Sequence, residues 1–265
     1  MNKKHFDIVF VVLVYRNTDD LVDFFQSFTI KNAKVIVVNS FYDTESDSKF
    51  KRIALTNNAD FITVPNKGYG AGNNRGIEFA ISNYEFNFLI ISNADITIRN
   101  FSMDLLLRNN DCIIAPKILT KSGKNQNPSS PFKPNKFIEW MLYRVYKGNH
   151  SKSVIVFYAW SRFQKIIYYI IQKFKKDIYS PHGAFVIIPY GVLLNLIPIF
   201  NEDVFLFYEE NHLGKLAQSK GIKTIYTSKI VIDHKEDGSV SLLDTDNFEL
   251  MRDAYIKMYE YWQKK

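Results

Sequence analysis

Two adjacent carboxylates, Glu209 and Glu210, stand in Phe207-Tyr-Glu-Glu-Asn-His212, where an aromatic strand meets a helix start. Such a position suits a general base. It equally suits helix-start acids that oppose the macrodipole. Ser92-Asn-Ala-Asp-Ile96 places Asp95 just past an apolar strand. A carboxylate there can hold a hard divalent cation that bridges two phosphates, or can cap a turn. His234, in Ile232-Asp-His-Lys-Glu-Asp-Gly-Ser239, offers an imidazole to a metal or to solvent. The run from Asn66 to Gly76 holds three glycines in the five residues 68–72, in a chain with 11 glycines in all. Glycines let backbone approach a ligand, and N–H groups at the next helix start can face phosphate or ribose oxygens. The other reading is a tight turn. The run is no dinucleotide fingerprint, because it follows the third strand, and it lacks the Lys-Ser/Thr ending of a triphosphate loop.

These segments need elements to carry them. Ile8–Val14 is a β-branched run that reads as a strand covered on both faces. A helix follows from Thr18, then strands over 34–38 and 61–64 with a polar helix over 46–57 between them. The glycine-rich turn opens a helix over 74–82. Strands over 86–92 and 112–115 flank a helix over 101–109. After a Pro/Ser/Asn-rich loop, 120–135, come a basic segment, a strand (184–188), a helix (190–197), the acidic run and a helix to Lys220. Two short strands (222–226, 230–234) and an amphipathic helix over 246–264 complete the chain. Alternating strands and helices imply a doubly wound, mostly parallel sheet, whose ligands lie beyond the strands' carboxyl ends. Tyr15-Arg16-Asn17, Asn39–Asp43, Asn66–Asn74 and Asn93–Asp95 all stand there.

Composition narrows the choice. The chain has 265 residues, 46% hydrophobic and 23% charged, which is globular and long enough for one large α/β domain. The net charge of +7 is concentrated: residues 133–176 hold ten Lys/Arg, one acid and eleven aromatics. An anionic partner of that segment follows, rather than a uniformly basic nucleic-acid coat. No nucleic-acid recognition motif accompanies it. The single cysteine, Cys112, excludes an internal disulfide and fits a reducing compartment. The N-terminus imitates a signal peptide, but its apolar run is short and no small-residue cleavage site follows.

The order of these pieces resembles the family 2 glycosyltransferases of GT-A fold, in their rhamnosyltransferase-like, capsule and O-antigen branch. The matching pieces are VVLVYRN, VVNSFYD, PNKGYGAGNNRGI, LIISNADI, HGAFVIIP, FNEDVFLFYEENHL and IVIDHKEDGSV. The resemblance implies one domain over 1–265. Its nucleotide-sugar half is 1–118, its basic helical insertion lies within 119–179, its acceptor half is 180–240 and a last helix fills 241–265. It implies that Tyr15 and Asn17 border the base, that Asn39 and Asp43 face base or ribose, and that Asn66, Lys67, Gly72, Asn74 and Asn93 line the donor pocket. Asp95 and His234 would hold a divalent cation, Mg2+ or Mn2+. Glu210, with Glu209 before it, would supply the base, and His182, Gly183 and Glu209 would face the acceptor.

Three positions depart from the family pattern. Asn39 replaces an aspartate, Asn93 leaves one carboxylate in the metal motif, and Asn211-His212 and Leu216 alter the acidic motif. The base therefore stays open between Glu209 and Glu210. The expected reaction is inverting transfer from a UDP- or dTDP-linked sugar to a glycan or polyprenyl-diphosphate-linked acceptor, in bacterial surface-polysaccharide synthesis. A sugar-nucleotide pyrophosphorylase would carry a glycine-rich basic loop after the first strand, where YRNTDD stands. A binding protein without turnover is the other rival, kept by Asn39 and Asn93.

The basic segment has two readings. Trp140, Tyr143 and Tyr146 with Arg144 and Lys147 suit an interfacial helix. So do Phe157, Trp160, Phe163, Ile166, Ile167, Ile170 and Ile171 with Arg162, Lys165 and Lys173. An enzyme peripheral on the inner face of the plasma membrane follows from that reading. The other is a helical insertion packed on the domain.

Overall fold

The computed structural model describes residues 3–148, 154–171, 176–236 and 247–265. Lys152, Lys173 and Lys175 of the basic segment, and residues 237–240 of the His234 motif, lie outside them.

Four parallel strands form half of one sheet. β1 (Lys4–Val14) lies between β2 (Ala33–Ser40) and β4 (Tyr84–Asn93), with β3 (Asp60–Val64) outside β2. The sheet continues through β8 (Phe185–Pro189), antiparallel to β4, then β6 (Ile113–Thr120) and β9 (Thr224–His234). β5 (Ile96–Asn100) and β7 (Asp177–Ile178) pair antiparallel with β9. The architecture is thus the mixed, mostly parallel doubly wound sheet expected.

Side chains of β1 alternate between two cores, as strand geometry requires. Ile8, Phe10 and Val12 meet Leu21 and Phe24 of α1 (Thr18–Ser27) and Phe50 of α2 (Thr44–Thr56). Val9 and Val11 meet Ile77 and Ala80 of α3 (Tyr69–Asn83) and Leu213 of α8 (Glu209–Ser219). Each such side chain, fully buried, contributes about 1.5–3 kcal/mol relative to exposure. The apolar N-terminal run is therefore core strand.

Several boundaries differ from the sequence reading. α3 begins at Tyr69, so Gly70 and Gly72 lie inside the helix and not in a turn before it. A Cβ on Gly72 would run into Leu13 and Ser40, so the glycine is what lets α3 lie close on β1 and β2. β5 was unforeseen. The two short strands expected near the C-terminus are one strand, β9, with a register shift where it pairs β6 between Pro116 and Lys117. The helices expected over 101–109 and 190–197 shrink to α4 (Met103–Leu107) and α7 (Tyr190–Leu193).

The basic segment forms α5 (Lys136–Lys147) and α6 (Val154–Ile171). The two helices behave differently. Tyr143 and Tyr146, expected at an interface, pack inward on α9 (Asn247–Gln263): Tyr143 stacks on Tyr259 at 4.4 Å, and Tyr146 is buried beside Tyr255. Glu139, the segment's one acid, binds Lys215 of α8 at 2.7 Å. α6 is anchored by buried Tyr168 against Tyr226, while Trp160, Phe163, Ile166 and Ile170 stay exposed. Among the described residues no helix is long and apolar enough to cross a membrane.

Candidate active site

A cleft of about 580 Å³ opens at the carboxyl ends of β1 and β4 and is closed on its far side by the turn before α8. Tyr15, Asn17, Asn66, Asn93, Asp95, His182, Gly183, Glu209, Glu210 and His234 line it, together with Asp20, Tyr69, Gln126 and Phe205–Phe207.

The unforeseen strand β5 brings the metal candidates together. It pairs with β9 so that Ile96 sits opposite His234, and Asp95, one residue earlier, accepts the Lys235 N–H at its carbonyl. Asp95 Oδ1 and His234 Nε2 are consequently 3.2 Å apart, and both side chains are buried. Asn93 Nδ2 stands 3.5 Å from the same ring nitrogen. Among the described residues no set of three or more His, Cys, Asp or Glu surrounds this point. A divalent cation held here would take Asp95 and His234 as protein ligands and fill its shell with phosphate oxygens and water. Asp20 completes the acidic wall, taking hydrogen bonds from Asn17 Nδ2 at 2.6 Å and Lys235 Nζ at 3.2 Å. Burial, with Asp95 nearby, raises its pKa despite the Lys235 contact.

Opposite stand the two glutamates. Phe207 and Tyr208 both take positive φ, 76° and 63°, a strained turn for non-glycine residues that costs about 1–3 kcal/mol each. It aims Glu209 and Glu210 into the cleft at the start of α8. Glu210 Oε1 accepts the Gly183 N–H at 3.2 Å, and Tyr69 OH donates to the Gly183 carbonyl at 2.9 Å. Among the described residues Glu209 Oε1 is buried without a hydrogen-bond partner. Burial first, then the Glu210 charge, pushes Glu209 up to about 8. Burial also raises Glu210, but the Gly183 N–H and Lys165 work against it. Glu209 is therefore the better proton holder and Glu210 the better carboxylate.

This asymmetry shows in stability. A carboxyl whose pKa rises on folding contributes stability fully below the ordinary glutamate range, and loses it as pH climbs toward about 8. The melting-temperature advantage of Glu209→Gln over the native chain should therefore widen from pH 5 to pH 8.5. A constant gap would contradict a carboxyl held protonated by burial and the Glu210 charge.

His182 is held by its own N–H, which donates to buried Asn127 Oδ1 at 2.7 Å. Its ring Nδ1 accepts the Ala184 N–H at 3.2 Å, and burial lowers its pKa to about 3, so the ring is neutral.

Five expected donor contacts do not line the cleft. Asn39 is buried and donates to Asp47 Oδ1 at 2.8 Å, tying β2 to α2. Asp43 caps α2, accepting the Ser46 N–H at 2.7 Å, which holds its carboxyl below the usual range. Lys67 is exposed, and Gly72 serves helix packing. Asn74 is buried and clasps the 200–202 turn. It donates to the Phe200 carbonyl at 3.0 Å and Glu202 Oε1 at 3.1 Å, and accepts the Phe200 N–H at 3.2 Å. Asn74→Ala should thus cost about 1–3 kcal/mol of stability by orphaning buried polar groups. Denaturant unfolding would show it. A loss of ligand affinity at unchanged stability would place Asn74 in the binding site instead. Asn17 does double duty: it lines the cleft and caps α1 by accepting the Asp19 N–H. Tyr15 lies edge-on to Tyr42 at 5.8 Å, with the Arg16 guanidinium 3.7 Å above the Tyr42 ring.

Sequence reasoning missed Gln126, Tyr69 and the cleft role of Asp20. Gln126 sits in a loop with no pattern, Tyr69 hid in the glycine-rich run, and Asp20 read as a helix-start acid.

No protein-family model and no curated protein matches the chain by sequence. Solved structures do match in shape. GalNAc-T7, crystallised with UDP, GalNAc and Mn2+, aligns with a TM-score of 0.60 at 10% identity, over 98% of this chain and 49% of that one. S. aureus TarS aligns at 0.54 and 14% identity, over 86% of this chain and 36% of that one. A shorter form of TarS in complex with UDP-GlcNAc aligns at 0.51 and 13% identity, over 90% and 62%. The chain spans about half of the first neighbour's length and about a third of the second's. At these identities the likeness establishes the fold, which is GT-A.

Proposed function

We propose that the chain is a metal-assisted inverting glycosyltransferase of the family 2 type, taking a UDP- or dTDP-linked sugar as donor. The observation that carries this reading is one cleft of a GT-A fold with the Asp95–His234 pair on one wall and the Glu209–Glu210 pair on the other. A Mg2+ or Mn2+ ion bound by Asp95 and His234 supplies charge neutralisation for the departing diphosphate. The neighbours crystallised with UDP and Mn2+ or with UDP-GlcNAc support such a donor. Tyr15 and Asn17, just past the end of β1, would border the nucleoside, and Asn66 lines the same cleft.

Glu210 takes the proton of the acceptor hydroxyl as that oxygen attacks the anomeric carbon. The new C–O bond forms as the bond to the diphosphate oxygen breaks, and the nucleoside diphosphate leaves. A single base and direct displacement invert the anomeric centre. Gly183 N–H keeps Glu210 oriented, and His182 and Glu209 border the acceptor side. A test is thermal shift with a panel of nucleotide sugars plus Mn2+ or Mg2+, since a specific ligand stabilises by mass action. No stabilisation by any member would contradict the reading.

The acceptor proposed is a glycan on a polyprenyl diphosphate, met at the inner face of a bacterial plasma membrane during surface-polysaccharide synthesis. Support comes from α6, whose Ile155, Phe163, Ile166 and Ile170 are 67%, 52%, 59% and 71% exposed beside Arg162. Apolar bodies can enter the headgroup boundary while cations face anionic lipid. The chain should sediment with vesicles containing anionic lipid, and the triple change Phe163→Glu, Ile166→Glu, Ile170→Glu should abolish this. Undiminished sedimentation of that variant would sink the membrane assignment.

A further inference from the structure

We infer that Gln126 and Glu236 form a relay that fixes the tautomer of His234 and so aims its metal-binding nitrogen into the cleft. This rests on the proposed cation site but concerns residues outside it. His234 Nδ1 lies 2.8 Å from Gln126 Oε1, and Gln126 Nε2 donates to Glu236 Oε1 at 2.8 Å. A carboxylate only accepts, so it must meet the amide NH2 and not the amide oxygen. Gln126 Oε1 is thereby turned toward His234. An amide oxygen also only accepts, so Nδ1 must carry the ring proton. Nε2 is thereby the nitrogen turned to Asp95 Oδ1, at 3.2 Å, with Asn93 Nδ2 3.5 Å away.

With Nδ1 engaged by Gln126, Nε2 is the ring nitrogen on the side of the Asp95 carboxylate, where a cation would join the two. The relay thus holds the ring in the one tautomer able to ligate, and spares the cation site the cost of turning it. The backbone keeps the relay in place. Gln126 N–H donates to the Ile118 carbonyl at 2.8 Å, and Glu236 takes positive φ, 60°, which turns its side chain back beside the strand end.

The test is nitrogen-15 NMR of the histidine rings in the metal-free full chain at pH 8, with the His234 signals assigned through His234→Ala. The expected result is a neutral ring protonated at Nδ1. A ring protonated at Nε2, or at both nitrogens, would overturn the relay. Gln126→Leu should give mixed tautomers and weaken Mn2+ binding about 10–100-fold by calorimetry. Unchanged tautomer and affinity in Gln126→Leu would also overturn it. Should the native chain show Nδ1–H yet bind no Mn2+, the cation reading falls and the relay stands.

Discussion

Asp95→Ala is expected to lower kcat/KM by on the order of a hundredfold or more, and to remove the dependence of rate on Mn2+ or Mg2+. Among the described residues Asp95 is the carboxylate paired with His234 Nε2, and Asn93 occupies the other acidic position expected of such a motif. Losing it leaves a single neutral nitrogen, which holds a hard cation poorly. A bound ion supplies several kcal/mol of charge stabilisation to a leaving diphosphate, and about 1.4 kcal/mol is tenfold in rate. If the Asp95 carboxylate merely paired with the His234 ring, the substitution would change melting temperature and leave the metal response intact. Initial rates against Mn2+ concentration separate the two. A native metal response in Asp95→Ala would remove Asp95 from the site.

Glu210→Gln should lower kcat by about 10²–10⁴-fold with little change in donor affinity, the range for a lost general base. Glu209→Gln should cost far less, because Glu209 already holds its proton near neutrality. The pH profile gives a second readout. A base works ionised, and burial raises Glu210, so activity should fall with decreasing pH at a value above the ordinary glutamate range. Lys165 favours its charged form, so Lys165→Met should move that limb to higher pH. Equal losses in Glu209→Gln and Glu210→Gln, or an unmoved limb in Lys165→Met, would contradict the assignment of the base.

The strands of the parallel half were legible because β-branched runs such as Ile8–Val14 announce burial on both faces. β5 was not. Its sequence, Ile-Thr-Ile-Arg-Asn, is short and half polar, and it becomes a strand only by pairing with β9, far along the chain. That pairing sets the Asp95–His234 distance, so residue types pointed to the pair while long-range register placed it. Asn39, Asp43 and Asn74 show the converse. Polar residues at strand ends and helix starts read equally as ligand contacts or as caps and clasps, and only their partners decide. The glycine-rich run divides. Asn66, Gly68 and Tyr69 line the cleft, whereas Gly72 serves the close packing of α3. Gln126 carried no signal, since its meaning lies wholly in the two groups it joins.

The most direct measurement is calorimetric titration of the native chain with UDP and with dTDP, each with and without Mn2+, repeated with Asp95→Ala. The account predicts binding of at least one nucleotide that tightens strongly with Mn2+ in the native chain and not in the variant. Binding indifferent to Mn2+, or no binding of either nucleotide, would contradict a cation-assisted nucleotide-sugar site in this cleft.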